Sequence, residues 1–327
     1  MRRSRPVLAA AWLVAVAVCP GLGAQDTPGA RYGHEMAYDE SRRITVLFGG
    51  FGPDGAPLGD TWGWDGESWQ RLSTSSPSPR RWPAAAYDSR RAVVVLFGGR
   101  TGVGRAGVSL ADTWIWDGST WRESGADGPS GRDHHRVVYD RSRDRLILFG
   151  GWDGQRVLGD TWEWDGARWH LAAPSGPEPR APFGMAYHEA RNQVVLMGGH
   201  GLEQTFSDTW TWDGSEWTRL DVEGPGSRTF HAMSYAAGEE RVLLFAGRHG
   251  DQLFQDLWSW DGREWQRLAT GGPVRRGIYA SAYDRSRGTL VMHGSGDLVE
   301  ENWELEATTW TWKESTGWKV EAGHGGD

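Results

Sequence analysis

Asp160-Thr161-Trp162-Glu163-Trp164-Asp165-Gly166-Ala167-Arg168-Trp169 is the stretch on which the fold turns. Trp162 and Trp164 are two residues apart, so they share one face of a strand. Asp165-Gly166 is a strong hairpin signal, because such a turn needs backbone angles that Gly adopts freely. Trp169 then opens the returning strand. The pattern Asp-Thr-Trp-x-Trp-Asp-Gly-x-x-Trp stands also at Asp60–Trp69, Asp112–Trp121 and Asp208–Trp217, and at Asp256–Trp265 with Leu257 in place of Thr.

Working outward, each copy is preceded by an apolar run ending in small residues, as in Val46-Leu47-Phe48-Gly49-Gly50 and Leu148-Phe149-Gly150-Gly151. Weaker versions end at Gly198-Gly199, Ala246-Gly247 and His293-Gly294. Further upstream, Arg31, Arg80, Arg132, Arg180, Arg228 and Arg276 recur at spacings of 49, 52, 48, 48 and 48. A Tyr follows each by seven residues, from Tyr38 to Tyr283. Fixed periods of this length mark a repeat architecture.

Each repeat reads as four short strands. Gly33 to Tyr38 is the first and Asp39 to Arg43 its turn. Ile44 to Phe48 is apolar and β-branched, as expected when both faces are buried. A four-stranded unit of this kind cannot bury both faces alone, and stacking six radially gives a propeller. No long segment shows a helical period. The expected architecture is all-β: one six-bladed propeller over 25–322, with blades at about 31–73, 80–124, 132–173, 180–221, 228–269 and 276–321 and a flexible tail at 323–327. The chain holds 22 Trp and 47 Gly. Three Trp per repeat account for all but Trp12, Trp82, Trp152 and Trp303.

Residues 1–24 read as a signal peptide, with Arg2, Arg3 and Arg5, an apolar stretch from Val7 to Val18, and Leu22-Gly23-Ala24 as cleavage site. Export to a secreted or periplasmic location follows, and no later stretch could span a bilayer as a helix. Cleavage takes the formal charge from -8 to -11, against a nucleic-acid binder with a basic face. The one Cys is Cys19, inside the leader, so the mature chain has neither disulfides nor thiolate ligands.

The Arg-x-x-His start, the apolar run into Gly-Gly and the Trp at a fixed gap resemble kelch repeats, from about Arg31 to Val320. The resemblance implies a six-bladed propeller of four-stranded antiparallel blades. It leaves activity open, because kelch propellers include protein-binding modules, sugar-acid mutarotases and copper oxidases. The Cys-linked Tyr of the copper oxidases has no counterpart here. The Asp-box of sialidase propellers is not matched, since Asp65 directly precedes Gly66. The last repeat departs from the pattern, with Trp312-Lys313-Glu314 for Trp-Asp-Gly and an extra segment from Leu298 to Thr308. Each repeat is expected to build its own blade, with blades one and six closing by packing.

Functional readings centre on one face. The loops after the second strand vary in length and composition, whereas the opposite turns are short and repetitive. Variable loops on a rigid scaffold are where binding usually lies. Arg31, Arg80, Arg132, Arg180, Arg228 and Arg276 stand at the start of the innermost strand on that face. They are candidates for an anion site, the alternative being structural pairing with Asp60, Asp112, Asp160, Asp208 and Asp256. His34, His135 and His231 recur in alternate blades, and a metal trio is the minor reading against local packing. Otherwise neither metal nor cofactor is expected. Repeat Trp residues read as core. Trp82, Trp152 and Trp303 break the pattern and are candidates for ligand stacking.

The leading expectation is a secreted, non-catalytic recognition scaffold. It would bind a protein or an anionic glycan on the variable-loop face. The alternatives are a mutarotase-like or lytic enzyme acting on a sugar acid at the channel mouth, and a structural protein–protein scaffold.

Overall fold

The computed structural model describes residues 27–73, 77–103, 107–273, 278–299 and 302–322. The leader at 1–24, Arg276, the Trp303 side chain and the tail at 323–327 lie outside the described residues.

Six four-stranded antiparallel sheets form, each from consecutive strands of one repeat. Blade one is Glu35–Asp39, Ile44–Phe48, Thr61–Trp64 and Trp69–Ser73. Blade six is Ile278–Asp284, Thr289–Val299, Asn302–Lys313 and Gly317–Ala322, so no strand is exchanged between the two ends. First strands of neighbouring blades touch all the way round, and Ile278–Asp284 closes on Glu35–Asp39. There is no α-helix among the described residues.

The core is divided into six clusters, one per blade interface. Phe48 of blade one meets Val94, Trp116 and Trp121 of blade two, and Trp64 of blade one meets Ala282 and Val291 of blade six. The second-strand residues Leu47, Leu96, Leu148, Leu196 and Leu244 are wholly buried, as their unbroken apolar runs require.

One hydrogen bond repeats at these interfaces. The indole Nε1–H of the Trp at the start of the fourth strand donates to the Thr just before the first motif Trp of the preceding blade's third strand. Trp121–Thr61, Trp169–Thr113, Trp217–Thr161 and Trp265–Thr209 measure 2.9–3.0 Å. Trp69 reaches Thr309 at 2.8 Å, so the closure between blades six and one repeats the same contact. At the remaining interface the acceptor position is Leu257, and the buried Trp318 Nε1 has no partner among the described residues.

Gly-Gly at the end of the second strand has a double cause. Gly49 and Gly50 have φ of 71° and 101°, in the region that favours Gly. A Cβ on Gly49 would also lie 2.7 Å from the Arg80 carbonyl oxygen, where the next repeat crosses. Blade five replaces the first Gly with Ala246 at φ 61°, while in blade six the pair is Gly294-Ser295, one residue later than the His293-Gly294 expected from sequence, because it is Gly294 that faces the Arg31 carbonyl.

Two blades run past this pattern on the loop face. In blade three, Arg145–Trp152 pairs with Val157–Trp164 beyond Gly150-Gly151. In blade six, the segment around Leu298 is the outer part of a long hairpin pairing Thr289–Val299 with Asn302–Lys313.

Replacing Thr209 by Val keeps its shape and removes the acceptor from the buried Trp265 indole. The variant is expected to lose about 1–3 kcal/mol in urea denaturation. Unchanged stability would show that the repeated indole bond contributes nothing.

Candidate functional site

The two faces of the disc are held differently. On the short-turn face, Asp39, Asp88, Asp140 and Asp284 each accept from backbone N–H groups of their own turn. Each also pairs at 2.7 Å with the Arg three residues on: Arg42, Arg91, Arg143 and Arg287. Arg42, Arg91 and Arg143 continue to the Asp-Gly turn of the next blade, donating to the carbonyls of Asp117, Asp165 and Gly214. This face is laced by its own arginines. On the loop face, Val103, Val108 and Leu202 are 59%, 63% and 86% exposed.

The repeat arginines are interior. Arg31, Arg80, Arg132, Arg180 and Arg228 are at most 2% exposed. Each holds the Asp before its third strand bidentately, at 2.6–3.1 Å. Each also donates at 2.9–3.0 Å to the first small residue after its second strand, Gly49 through Ala246. The same carboxylates accept the indole N–H of Trp62, Trp114, Trp162, Trp210 and Trp258 at 2.6–2.7 Å. Burial works to raise these carboxyls. The Arg hydrogen bonds and charge, helped by the indole, outweigh it and hold all five below the usual range. An anion seeking these forks meets a resident carboxylate in each.

His34, His135 and His231 are not brought together. They are at most 5% exposed, and among the described residues no three His, Cys, Asp or Glu could share a metal ion. Burial, followed by neighbouring cationic groups, pushes all three imidazoles well below the ordinary value, so they are neutral. His231 Nε2 lies 3.1 Å from the Met197 carbonyl oxygen, and His34 and His135 pack edge-on to His293 and Phe97. The metal-trio reading is corrected: alternate blades place the rings in separate interfaces.

The pattern-breaking Trp residues part ways. Trp82 stands two residues after its repeat Arg, as do His134 and Phe230. These three bulky residues hold φ of 49°, 55° and 58°, an uncommon, strained conformation for side chains of this size. Trp82 stacks on His134 with centroids 3.8 Å apart, His134 meets Phe230 edge-on at 5.8 Å, and the Arg81 guanidinium sits 4.5 Å from the Trp82 ring. Bare Gly33 admits the indole, since a Cβ there would lie 2.6 Å from Nε1. Trp152, on the extended hairpin of blade three, lines a separate groove of about 700 Å³ with Leu202 and Phe206 of blade four.

The central channel holds groups that the repeat pattern hides. A cavity of about 230 Å³ runs along it, lined by all six first strands. At the register after the repeat His stand Glu35, Ala84, Arg136, Gly184, Ala232 and Ala280. Four are small. Glu35 and Arg136, from blades one and three, meet with 3.5 Å between carboxylate and guanidinium. Burial pushes the Glu35 carboxyl up to about 7, against the opposing pull of Arg136 and the Met36 amide. At the short-turn end, Glu40, Arg141, Glu189 and Arg285 form a closed ring of alternating charge. Arg141 contacts both acids and so does Arg285. Neither Glu35 nor Arg136 belongs to a motif that the repeat pattern singles out. Comparing one register across all six repeats is the signal that finds the pair.

Comparison with known proteins bears on the first half of the chain. A family model described as the KLHDC2/KLHL20/DRC7 Kelch-repeats domain matches residues 21–165. An F-box/kelch-repeat protein of Arabidopsis thaliana is 32% identical over 138 residues. That match covers 38% of this chain and 28% of the plant protein's length.

Glu35 supplies a pH test. Its folded pKa lies above its ordinary 4.5, so ionisation is harder in the folded state. The stability it contributes is complete below about pH 4.5 and is lost as pH rises through 7. Between those limits the wild type should lose about 2–3 kcal/mol more than Glu35→Gln in urea denaturation. Parallel profiles would contradict the burial of this carboxyl.

Proposed function

Because this chain is a kelch-repeat β-propeller, we propose that it works as a non-catalytic scaffold for protein recognition, its partner docking on the variable-loop face. The fold fits a protein-interaction role. The finer reading rests on the groove between blades three and four, where Trp152 and the 86% exposed Leu202 flank Phe206. An apolar cleft with an indole on its wall is the kind of place where a partner's anchor residue gains most. On the opposite face the arginines are engaged in its own turns.

An anionic glycan is the other ligand class the sequence suggested. Its support narrows to peripheral cations such as Arg156, because the five described repeat arginines hold carboxylates. The leader-like segment at 1–24 supports placing this recognition outside the cytoplasm.

The test is quantitative capture from a secreted proteome by wild type, Trp152→Ala, Leu202→Asp and, as control, Leu171→Asp on the fourth strand of blade three. Partners enriched by wild type and control should fall at least about tenfold with both groove variants. Equal capture by all four proteins would overturn the groove as the docking site.

A further inference from the structure

The channel carries a second recognition problem, independent of the loop-face groove. The register that holds Glu35 and Arg136 is one the fold fills with small residues. In blade four only Gly fits, since a Cβ on Gly184 would lie 2.4 Å from both the His231 ring and the Met233 sulfur. Nothing in the blade interfaces requires long charged side chains at blades one and three. Burying them is unfavourable unless the charges are fully paired. They are not fully paired. Their separation of 3.5 Å exceeds the 2.7–2.9 Å of a closed charge-assisted hydrogen bond. Arg136 commits Nε to the Phe183 carbonyl at 3.1 Å, and among the described residues neither of its Nη groups makes a hydrogen bond. The pair is held close and fixed from one side, with Arg136 25% and Glu35 16% exposed to the channel, so the Nη groups stand open to whatever enters it.

The surroundings select the size and sign of what would complete it. At roughly 30 Å³ per water, a cavity of about 230 Å³ has room for about seven waters. That admits a small molecule and excludes a folded partner or an oligosaccharide. The ring of Glu40, Arg141, Glu189 and Arg285 closes the far end. At the loop-face end the Trp82 indole forms part of the wall. We infer that the Glu35–Arg136 pair is a binding site for a small monocarboxylic acid, its carboxylate held by the Nη groups of Arg136 and by a proton shared with Glu35, and its apolar part against Trp82.

The proton is what separates a carboxylate from other ligands. With Glu35 ionised, the pair is neutral and a second carboxylate is repelled. With Glu35 protonated, its O–H donates to the incoming anion, and anion and guanidinium cancel. The carboxyl is pushed up to about 7, so the protonated form is well populated at neutral pH. Among the charged and titratable groups around it, Arg136 opposes that shift. His34, His135 and His231 are neutral, Arg31 is paired with Asp60, and the far ring is balanced within itself. An amine would need Glu35 ionised beside a fixed guanidinium, which the geometry disfavours.

Isothermal titration of the full chain with acetate, lactate and benzoate, and with benzylamine, tests this at pH 6.0 and 8.5 in two buffers of different ionisation enthalpy. Carboxylates should bind at pH 6.0 with almost no proton uptake, and about thirtyfold more weakly at pH 8.5 with uptake of about one proton, as one group titrating near 7 requires. Arg136→Gln should abolish binding with an unchanged thermal midpoint. Glu35→Gln, whose amide still donates, should bind equally at both pH values. The inference is overturned if no carboxylate binds, if benzylamine binds instead, if Arg136→Gln binds as wild type, or if Glu35→Gln keeps the pH dependence. The last arm decides the matter even if the Arg136 variant fails to fold.

Discussion

A half-buried carboxylate two residues before the first motif Trp, present in five of the six blades, is the point on which those blades depend. Asp160 shows the arrangement. Its two oxygens receive the Arg132 fork, and one also takes the Trp162 indole. The same guanidinium holds the Gly150 carbonyl, and the Arg132 carbonyl receives the Gly99 N–H of the preceding blade. One ion pair thus joins three strands of its own blade and the end of a neighbour's. Taking such charges out of water is tolerable only because nearly every lone pair and proton is used. That demand explains why Arg, Gly-Gly, Asp and Trp recur as a set. Removing any one orphans the others.

Most of this was legible in the chain. Alternating Trp residues, Asp-Gly turns and apolar runs into Gly-Gly locate the strands, and six copies of one unit leave a closed ring as the economical way to bury both faces. The departure at Leu257 was also visible. Its consequence was not, because the indole it fails to meet, Trp318, belongs to the next blade. Trp82 stood out as an extra aromatic, but its stacking on His134 depends on left-handed backbone at both residues, which no propensity predicts. Glu35 and Arg136 are distant in sequence and become neighbours only when the ring closes. The charged ring formed with Glu40 by Arg141, Glu189 and Arg285 was hidden for the same reason.

These observations divide the residues into two populations. Those that repeat are committed to one another: the arginines to aspartates, the first and third indoles of each full motif to carboxylates and threonines, the glycines to crossing chains. Those that break the repeat, among them Trp152, Leu202, Trp82, Glu35 and Arg136, lie at a groove, a rim and a cavity. A propeller with so demanding a framework has little freedom in its shared positions, so recognition falls to the positions where blades differ.

A double-mutant cycle on Arg132 and Asp160, followed by urea denaturation, tests this division most directly. If the repeat arginines exist to hold the blades, the two alanine substitutions should each destabilise strongly and couple by about 2–3 kcal/mol. Coupling below about 0.5 kcal/mol, with near-wild-type stability in Arg132→Ala, would mean that the arginine ring is held for a ligand and not for the fold.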